Sequence, residues 1–378
     1  MCIYIGLLSF IILVNGHCDI PNLGHCTCSS TLLNCTNKGA RDYAGFADIQ
    51  AYGQAHPFLK VVVFTGHDLS FIGDNILGNN SHNSLHTLDL SNNRISRIQP
   101  GAFYSLKNLK QLILDDNEWN IDESVSHPSV FNYCNLTTLS LSNAFGAGRV
   151  RDIGKVMERL QVLFVNSSMP SLTSLRLSRN KIIALPGGFF LGMPNLQLLD
   201  LSNNKLDRIN VRLSNLTHLQ SLLLHQNAMS VISQMLMDDI DILYDDGQGS
   251  LRNVTLSGNF ILCNCLARNF SSWLRSGNKS LLVDADKVMC SPGPDDAMAG
   301  AALLDYKLSD LVCKEVTDTK QSSYVILIIV IGIITVIAVI VLILNRSFFI
   351  NKYIACKEML GSKHDFSIYG AKYSSVVS

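Results

Sequence analysis

One nine-residue pattern recurs through the middle of this chain and restricts what it can fold into. The pattern reads L-x-x-L-x-L-x-x-N, and its clearest copies begin at Leu172, Leu196 and Leu219, at intervals of 24 and then 23 residues. Leucine spacings of three and then two residues exclude one face of an α-helix, whose period is about 3.6 residues. The pattern instead predicts a short strand with inward-pointing leucines, and an asparagine that bonds backbone groups at the turn that follows.

Further copies extend the pattern on both sides. Complete copies also begin at Leu85 and Leu109, and the last copy, at Leu251, has Val254 in place of its second leucine. The copy at Leu59 has His67 in place of the asparagine, and the copy at Leu136 is degenerate, with Asn143 one position early. Because one copy cannot bury its leucine face alone, the copies must stack. We therefore predict an α/β leucine-rich-repeat solenoid of about seven well-marked repeats, a curved horseshoe with a parallel sheet on its concave side.

Two connections, at residues 142–171 and 231–250, are longer than the repeat requires. The first includes Arg151 to Val165, where apolar residues at helical spacing predict a helix packed on the convex side. The second holds an acidic run: Asp238, Asp239, Asp241, Asp245 and Asp246. Calcium binding is conceivable, but the spacing fits no defined calcium loop. We interpret this run as a solvated, flexible loop.

Two apolar runs lie outside the repeats. Residues 1–16 hold the first and are predicted to be a signal peptide that is cleaved before His17. Residues 324–344 hold 21 residues without a charge, which is enough to span a bilayer. Basic residues after this run, beginning with Arg346, place the C-terminus in the cytosol. The sequence therefore predicts a single-pass type I protein of the plasma membrane with an extracellular N-terminus.

These features divide the rest of the chain into five parts. They are a cysteine-rich N-terminal cap, the repeats, a cysteine-rich C-terminal cap, a juxtamembrane linker and a cytoplasmic tail: 17–57, 58–258, 259–315, 316–323 and 345–378. A tail this short leaves no room for a kinase or an adaptor domain. Any signalling by the chain must therefore be indirect.

Cysteines cluster at both ends of the repeats, where an open solenoid would expose its core leucines. They form two groups of four: Cys18, Cys26, Cys28 and Cys35, then Cys263, Cys265, Cys290 and Cys313. A secreted, oxidising context favours disulfides over zinc for both groups. Cys134 is left over, and we expect a buried thiol there rather than an intermolecular bridge.

Sequons for N-linked glycans are frequent between the two apolar runs. Eight N-x-S/T sequences predict a glycoprotein; they lie at Asn34, Asn79, Asn135, Asn166, Asn215, Asn253, Asn269 and Asn278. Asn253 falls at a concave position of its strand. A glycan there would cover the C-terminal end of that face.

The sequence contains no nucleophile elbow, zinc-protease helix or phosphate-binding loop, and its histidines lack metal-ligand spacing. We therefore expect no enzyme, no cofactor and no metal site, and a net charge of zero gives no reason to expect a nucleic-acid partner.

The surface left for function is the concave sheet, at the x positions of the pattern. Mixed charge together with exposed Ile113 and Leu223 favours a protein ligand or co-receptor at the cell surface over a small molecule. The candidate partner-binding residues are His86, Asp89, Lys110, Ile113, Asp115, Arg176, Arg179, Asp200, Leu223, His225 and Arg252.

The ends of the chain resemble the cysteine-rich flanking caps of extracellular leucine-rich-repeat proteins. The C-terminal sequence carries this resemblance: Asn259-Phe-Ile-Leu-Cys263-Asn-Cys265, then Trp273-Leu274, Cys290-Ser-Pro292 and Cys313. In that family the first cysteine pairs with the third and the second with the fourth. The resemblance implies the pairs Cys18–Cys28, Cys26–Cys35, Cys263–Cys290 and Cys265–Cys313.

The whole arrangement is similar to the trophoblast glycoprotein family of extracellular leucine-rich-repeat transmembrane proteins. The similar stretches include Phe64-Thr-Gly-His67-Asp-Leu69, Asn215-Leu-Thr-His-Leu-Gln-Ser-Leu222 and Leu344-Asn345-Arg346. This resemblance implies a cell-surface inhibitor of β-catenin-dependent Wnt signalling that acts at the co-receptor. The competing hypothesis is a cell-adhesion or synapse-organising protein that binds a partner in trans. The chain departs from the family at its end, Val376-Val377-Ser378, which lacks the apolar terminal side chain that a PDZ domain binds.

Overall fold

The computed structural model describes most of the chain as two compact units, Met1–Cys313 and Lys314–Ser378. The described residues are 17–19, 25–36, 46–121, 130–132, 134–146, 152–167, 169–245, 249–276, 281–291, 300–311 and 319–361. Several predictions fall outside these residues: the signal peptide at 1–16, Asp246, Asn278, Cys313 and the end of the tail. The side chain of Cys18 is likewise not among those described.

The strands of the first unit are short, as the repeat pattern predicts. Their bounds are β1 His17–Asp19, β2 His25–Cys28, β3 Leu32–Thr36, β4 Val61–Thr65, β5 Phe71–Ile72, β6 Thr87–Asp89, β7 Arg97–Ile98, β8 Gln111–Ile113, β9 Thr138–Ser140, β10 Ser174–Arg176, β11 Leu198–Asp200, β12 Ser221–Leu223 and β13 Asn253–Thr255. Among the described residues, eleven of these strands form one sheet, and β5 pairs only with β7. The sheet confirms the predicted solenoid.

The order along the main sheet follows the order of the repeats. Strands β3 to β13 of this sheet run parallel, and from β4 onward each repeat supplies one of them. The first three strands pair antiparallel within the N-terminal cap. The degenerate copy at Leu136 still supplies a complete strand, β9, because Leu139 and Leu141 remain buried at the usual spacing. A continuous row of buried leucines thus lies behind the sheet.

The asparagine that ends each repeat joins it to its neighbours. Asn204 is typical: its Oδ1 accepts hydrogen bonds from the backbone N–H groups of Asn180 and Ile182, at 2.9 and 3.0 Å. Its Nδ2 donates to the carbonyls of Leu177 and Leu201, both at 3.0 Å. These backbone groups lie where the chain leaves the strand, and the side chain satisfies them out of reach of water.

Two repeats depart from this ladder. The buried ring of His67 bonds through Nε2 to the carbonyl of Cys35 at 3.0 Å, and stacks on Phe64. It therefore contacts the preceding turn much as an asparagine would. Ala144 has no polar side chain, and its backbone N–H donates to Asn180 Oδ1 of the next repeat at 2.9 Å.

In the described part of the first unit, four α-helices pack beside the repeats or in the caps: α1 Phe46–Ala55, α2 Ile153–Ser167, α3 Gln234–Tyr244 and α4 Arg268–Arg275. The predicted helix in the first long connection is confirmed as α2. It buries Val156, Met157, Leu160, Leu163 and Phe164 on the core, which are residues of the apolar stripe in the sequence. Phe164 contacts Phe131 and Phe189 edge-on or tilted, so aromatic rings fill the widened repeat.

The interpretation of the second long connection as a solvated loop was wrong. Most of its acidic run lies on α3, which Ser233 caps by accepting a hydrogen bond from the N–H of Leu236. Asp239 is 0% exposed, accepts from the N–H of Leu213 at 2.9 Å and pairs with Arg212 at 3.0 Å. The acidic run suggested exposure to water, but the carboxylate of Asp239 is buried and joins the helix to the preceding repeat.

Each cap contains a disulfide. The structure contains Cys26–Cys35 and Cys263–Cys290, two of the four pairs implied by the resemblance. Cys28 and Cys265 are disulfide-bonded as well. At the C-terminal end, Asp284 accepts hydrogen bonds from the N–H groups of Leu256 and Ser257, which would otherwise have no further repeat to bond.

Cys134 is a free cysteine that packs partly buried against the core. Burial raises the pKa of its thiol to about 12, because a thiolate would lose its hydration there. The group therefore stays protonated and is a poor nucleophile.

The second unit holds two helices, α5 Thr319–Leu344 and α6 Arg346–Gly361. Within the described residues, one stretch, Leu327–Leu344, is long and apolar enough to cross a membrane. It lies inside the span predicted at residues 324–344. Helix α6 was not predicted, and it occupies the first half of the predicted tail.

Candidate functional site

Two rows of side chains cover the outer surface of the parallel sheet, on either side of the buried leucines. The first row is Val61, Thr87, Gln111, Thr138, Ser174, Leu198, Ser221 and Asn253. The second row is Val63, Asp89, Ile113, Ser140, Arg176, Asp200, Leu223 and Thr255. In each row, neighbours stand one strand spacing apart, about 4.8 Å.

The second row brings together five of the predicted site residues: Asp89, Ile113, Arg176, Asp200 and Leu223. Arg176 is exposed and stands in register with Asp200, which in turn stands in register with Leu223. The row thus presents acidic, apolar and basic side chains within a few strand spacings. Such a mixture suits a protein surface better than a single small ligand.

The other six predicted residues lie just outside the strands, before their first residue or after their last. His86, Lys110 and Arg252 each precede a strand by one residue. Asp115, Arg179 and His225 follow a strand by two or three residues. They extend the face beyond the second row without joining it.

Several carboxylates on this face hold the turns that follow their strands. Asp89 Oδ1 accepts from the N–H of Ser91 at 2.9 Å, and Asp200 Oδ1 accepts from the N–H of Ser202 at 3.0 Å. Asp115 accepts from Ser140 Oγ at 2.6 Å. Burial raises the pKa of Asp115, and its hydrogen bonds oppose that rise.

An ion pair links two repeats at the edge beyond the strands. Arg179 Nη2 lies 3.4 Å from Asp116 Oδ1, and both side chains are about half exposed, at 52% and 40%. Both residues have left-handed backbone conformations, with φ of 60° and 53°. Since the pair is solvated, it contributes at most about 1 kcal/mol to stability. Breaking this ion pair so that either side chain can contact a partner would therefore cost little free energy.

Our sequence reasoning found Ile113 and Leu223 but missed three other apolar members of the two rows. Val61, Val63 and Leu198 lie on the outer surface of the sheet, where they are half-buried. The alternation within each strand could have identified them, since they flank buried residues at the x positions of the pattern. They add apolar contact area to both rows.

The described sequons divide between this face and the rest of the surface. Asn253 ends the first row, and Asn34 on β3 is in register with Val63 of the second row. The remaining ones are exposed and lie outside the strands: Asn79, Asn135, Asn166, Asn215 and Asn269. The strands between β3 and β13 carry none.

Comparison with known proteins agrees with this architecture. The leucine rich repeat family profile matches residues 71–119, 83–144 and 170–229. The chain is a leucine-rich-repeat protein with disulfide-tied ends.

The chain is also a homologue of trophoblast glycoprotein, as the resemblance predicted. It is 27% identical to the Macaca fascicularis protein over 363 residues, 91% of this chain and 80% of that relative. It is 30% identical to the Mus musculus protein over 292 residues, 74% of this chain and 62% of that relative. The crystal structure of human 5T4 (Wnt-activated inhibitory factor 1, trophoblast glycoprotein) has the same fold, with a TM-score of 0.64 at 24% identity, covering 78% of this chain and 99% of that one.

Proposed function

We propose that this chain is a plasma-membrane glycoprotein that binds a protein partner through its concave face and thereby inhibits β-catenin-dependent Wnt signalling at a co-receptor. The homology to trophoblast glycoprotein carries this proposal, because the human protein of that name is also called Wnt-activated inhibitory factor 1. In this arrangement the repeats are extracellular, α5 spans the membrane and α6 lies in the cytosol.

The concave face suits a protein partner in size and chemistry. Eight repeat strands at about 4.8 Å spacing give a surface roughly 34 Å long. That length fits a standard protein interface, which buries about 800 Å² on each side. Arg176, Asp200 and Leu223 stand side by side in its C-terminal half and offer a basic, an acidic and an apolar contact to one partner.

The proposed inhibition acts outside the cell. The ectodomain would act by occupying or displacing a membrane protein. A co-receptor bound on the concave face would be withheld from its own signalling complex. Specificity would come from the alternating charges of the second row, since like charges placed opposite one another disfavour wrong partners.

A reporter assay tests this function. Wnt-stimulated cells would express the full chain or a version that lacks residues 346–378, with surface expression measured in both. We expect both versions to suppress β-catenin reporter activity. A reporter that stays fully active despite surface expression would refute the inhibitor role, and aggregation of the expressing cells would then support the adhesion alternative.

A further inference from the structure

A groove of about 290 Å³ lies between two successive repeats, outside the strands. Residues 188–194 form one wall and residues 211–216 form the other. Its volume is near the lower end of the range for ligand-binding pockets, about 300–1,000 Å³. The groove is therefore large enough for a small ring.

The walls of the groove are mostly apolar. Leu191 is 75% exposed and stands over the groove, whereas Phe190 and Val211 are 8% and 6% exposed. Gly188 has a positive φ of 76°, and a Cβ there would lie 2.9 Å from Leu191 Cδ1. The absence of a Cβ at Gly188 thus leaves room for the Leu191 side chain. A large apolar side chain is exposed to water here beside a buried wall.

The asparagine of a glycosylation sequon lines this groove. Asn215 is one of the lining residues, it is exposed, and Asn215-Leu216-Thr217 is a complete acceptor sequence. A sugar attached to Asn215 begins at the wall of the groove and cannot diffuse away from it. The short tether raises the effective concentration of that sugar at the groove to the millimolar range or above.

The chemistry of the groove matches that of an N-acetylglucosamine ring. A pyranose has C–H groups on its faces, which pack on aromatic and aliphatic side chains such as Phe190 and Leu191. Its hydroxyl and acetamide groups need hydrogen-bond partners at the rim. Arg212 also lines the groove, its side chain is 58% exposed, and its guanidinium keeps donors beyond the one that bonds Asp239.

We propose that the first sugars of an N-linked glycan on Asn215 occupy this groove and stabilise the two repeats that form it. The glycan then covers Leu191 and joins residues 188–194 to residues 211–216. The glycan would thus pack against two repeats of the solenoid and stabilise their contact, in addition to covering the surface. This role is independent of any partner bound on the concave face.

Thermal unfolding of the full chain from mammalian cells, purified in detergent, tests the proposal. Asn215→Gln removes the glycan, Leu191→Ser removes the apolar wall, and a third protein carries both substitutions. Asn269→Gln is the matched control, because it removes a predicted glycan from an exposed position on α4. Peptide mass spectrometry measures the occupancy of Asn215 and Asn269 in each protein.

We expect Asn215→Gln to lower Tm by about 2–4 °C, and Asn269→Gln to change it by less than half as much. In the Leu191→Ser background, removal of the Asn215 glycan is expected to have little further effect, because the two groups act through one contact. Trimming the glycans to a single N-acetylglucosamine is expected to leave Tm close to that of the untrimmed protein.

Three results would overturn the proposal. The first is an unoccupied Asn215, and the second is an equal effect of the Asn215 and Asn269 substitutions. The third is a loss on Asn215→Gln that is the same with and without Leu191. Because Leu191 is largely exposed, the Leu191→Ser protein is expected to fold, so the comparison does not depend on a damaged core.

Discussion

At the scale of single residues, the polar side chains inside this solenoid matter most where they satisfy backbone groups. The asparagine at the end of each repeat was predictable because the pattern requires an acceptor and a donor at one turn. His67 and Ala144 show that the turn tolerates other solutions when a neighbouring repeat supplies the bonds. What the sequence alone could not show was which solution each irregular repeat adopts, because the bonding partner lies in another repeat.

Asn204→Ala is expected to destabilise the protein strongly. The change removes one side chain that bonds five backbone groups, two N–H groups and three carbonyls. Each buried group left unpaired costs about 1–3 kcal/mol, so the free energy of unfolding is expected to fall by at least about 2 kcal/mol. Denaturant unfolding measures the change. The neighbouring exposed Lys205→Ala is the control and is expected to stay within about 0.5 kcal/mol of the natural protein.

His82 gives the fold a dependence on pH. The side chain is 0% exposed, its Nε2 donates to the carbonyl of Leu77 at 2.8 Å, and its Nδ1 has no hydrogen-bond partner among the described residues. Burial lowers the pKa of this group below its ordinary value of 6.5. The folded chain therefore binds the proton less readily than the unfolded chain, and protonation favours unfolding.

The free energy of unfolding is thus expected to fall as the pH drops below about 6.5, until the pH passes the lowered pKa of the folded state. His82→Gln keeps an N–H donor for Leu77 but does not titrate in this range. We expect its Tm to fall less between pH 7 and pH 5 than that of the natural protein. Equal slopes for the two proteins would contradict this assignment.

At the scale of elements, two helices in long connections show what a sequence pattern can and cannot reveal. Helix α2 was predicted because its apolar residues recur at helical spacing without interruption. Helix α3 has similar spacing at Leu236, Met237, Ile240 and Leu243, and its Ser233 cap is visible in the sequence. The acidic residues between them suggested solvent, because burial of Asp239 depends on Arg212 and Leu213, which are more than twenty residues away.

Asp239→Ala is expected to loosen α3 from the repeat before it. The substitution leaves the N–H of Leu213 unpaired inside the protein, at a cost of about 1–3 kcal/mol. Hydrogen exchange of residues 234–244 is expected to speed up together with a fall in Tm. Asp238→Ala, one residue earlier and exposed, is the matched control. Similar exchange rates in the two variants would show that the buried bonds of Asp239 do not hold the helix.

At the scale of the whole molecule, the repeat pattern was sufficient for the architecture and for the location of the candidate face. Stacking of identical units fixes the register, so the x positions of successive copies fall into rows. The caps could not be derived in the same way, because their strands and α1 contain no repeat. The partner also could not be derived, since solvated side chains at the x positions satisfy the fold with almost any sequence.

The central claim, binding through the concave face, can be tested by placing a glycan on it. Asp200→Asn creates the acceptor sequence N-L-S at residues 200–202, between Arg176 and Leu223 in the second row. Adding Ser202→Ala to this variant abolishes the acceptor sequence, which gives a control with the same change at position 200. Both proteins would be compared with the natural chain in Wnt-stimulated reporter cells at equal surface expression.

We predict that the glycosylated Asp200→Asn protein loses suppression of the β-catenin reporter, whereas the doubly substituted control retains it. Enzymatic deglycosylation of the surface protein, read as a shift in mobility, shows whether residue 200 carries the glycan. Full suppression by a chain that is glycosylated there would contradict binding through the concave face.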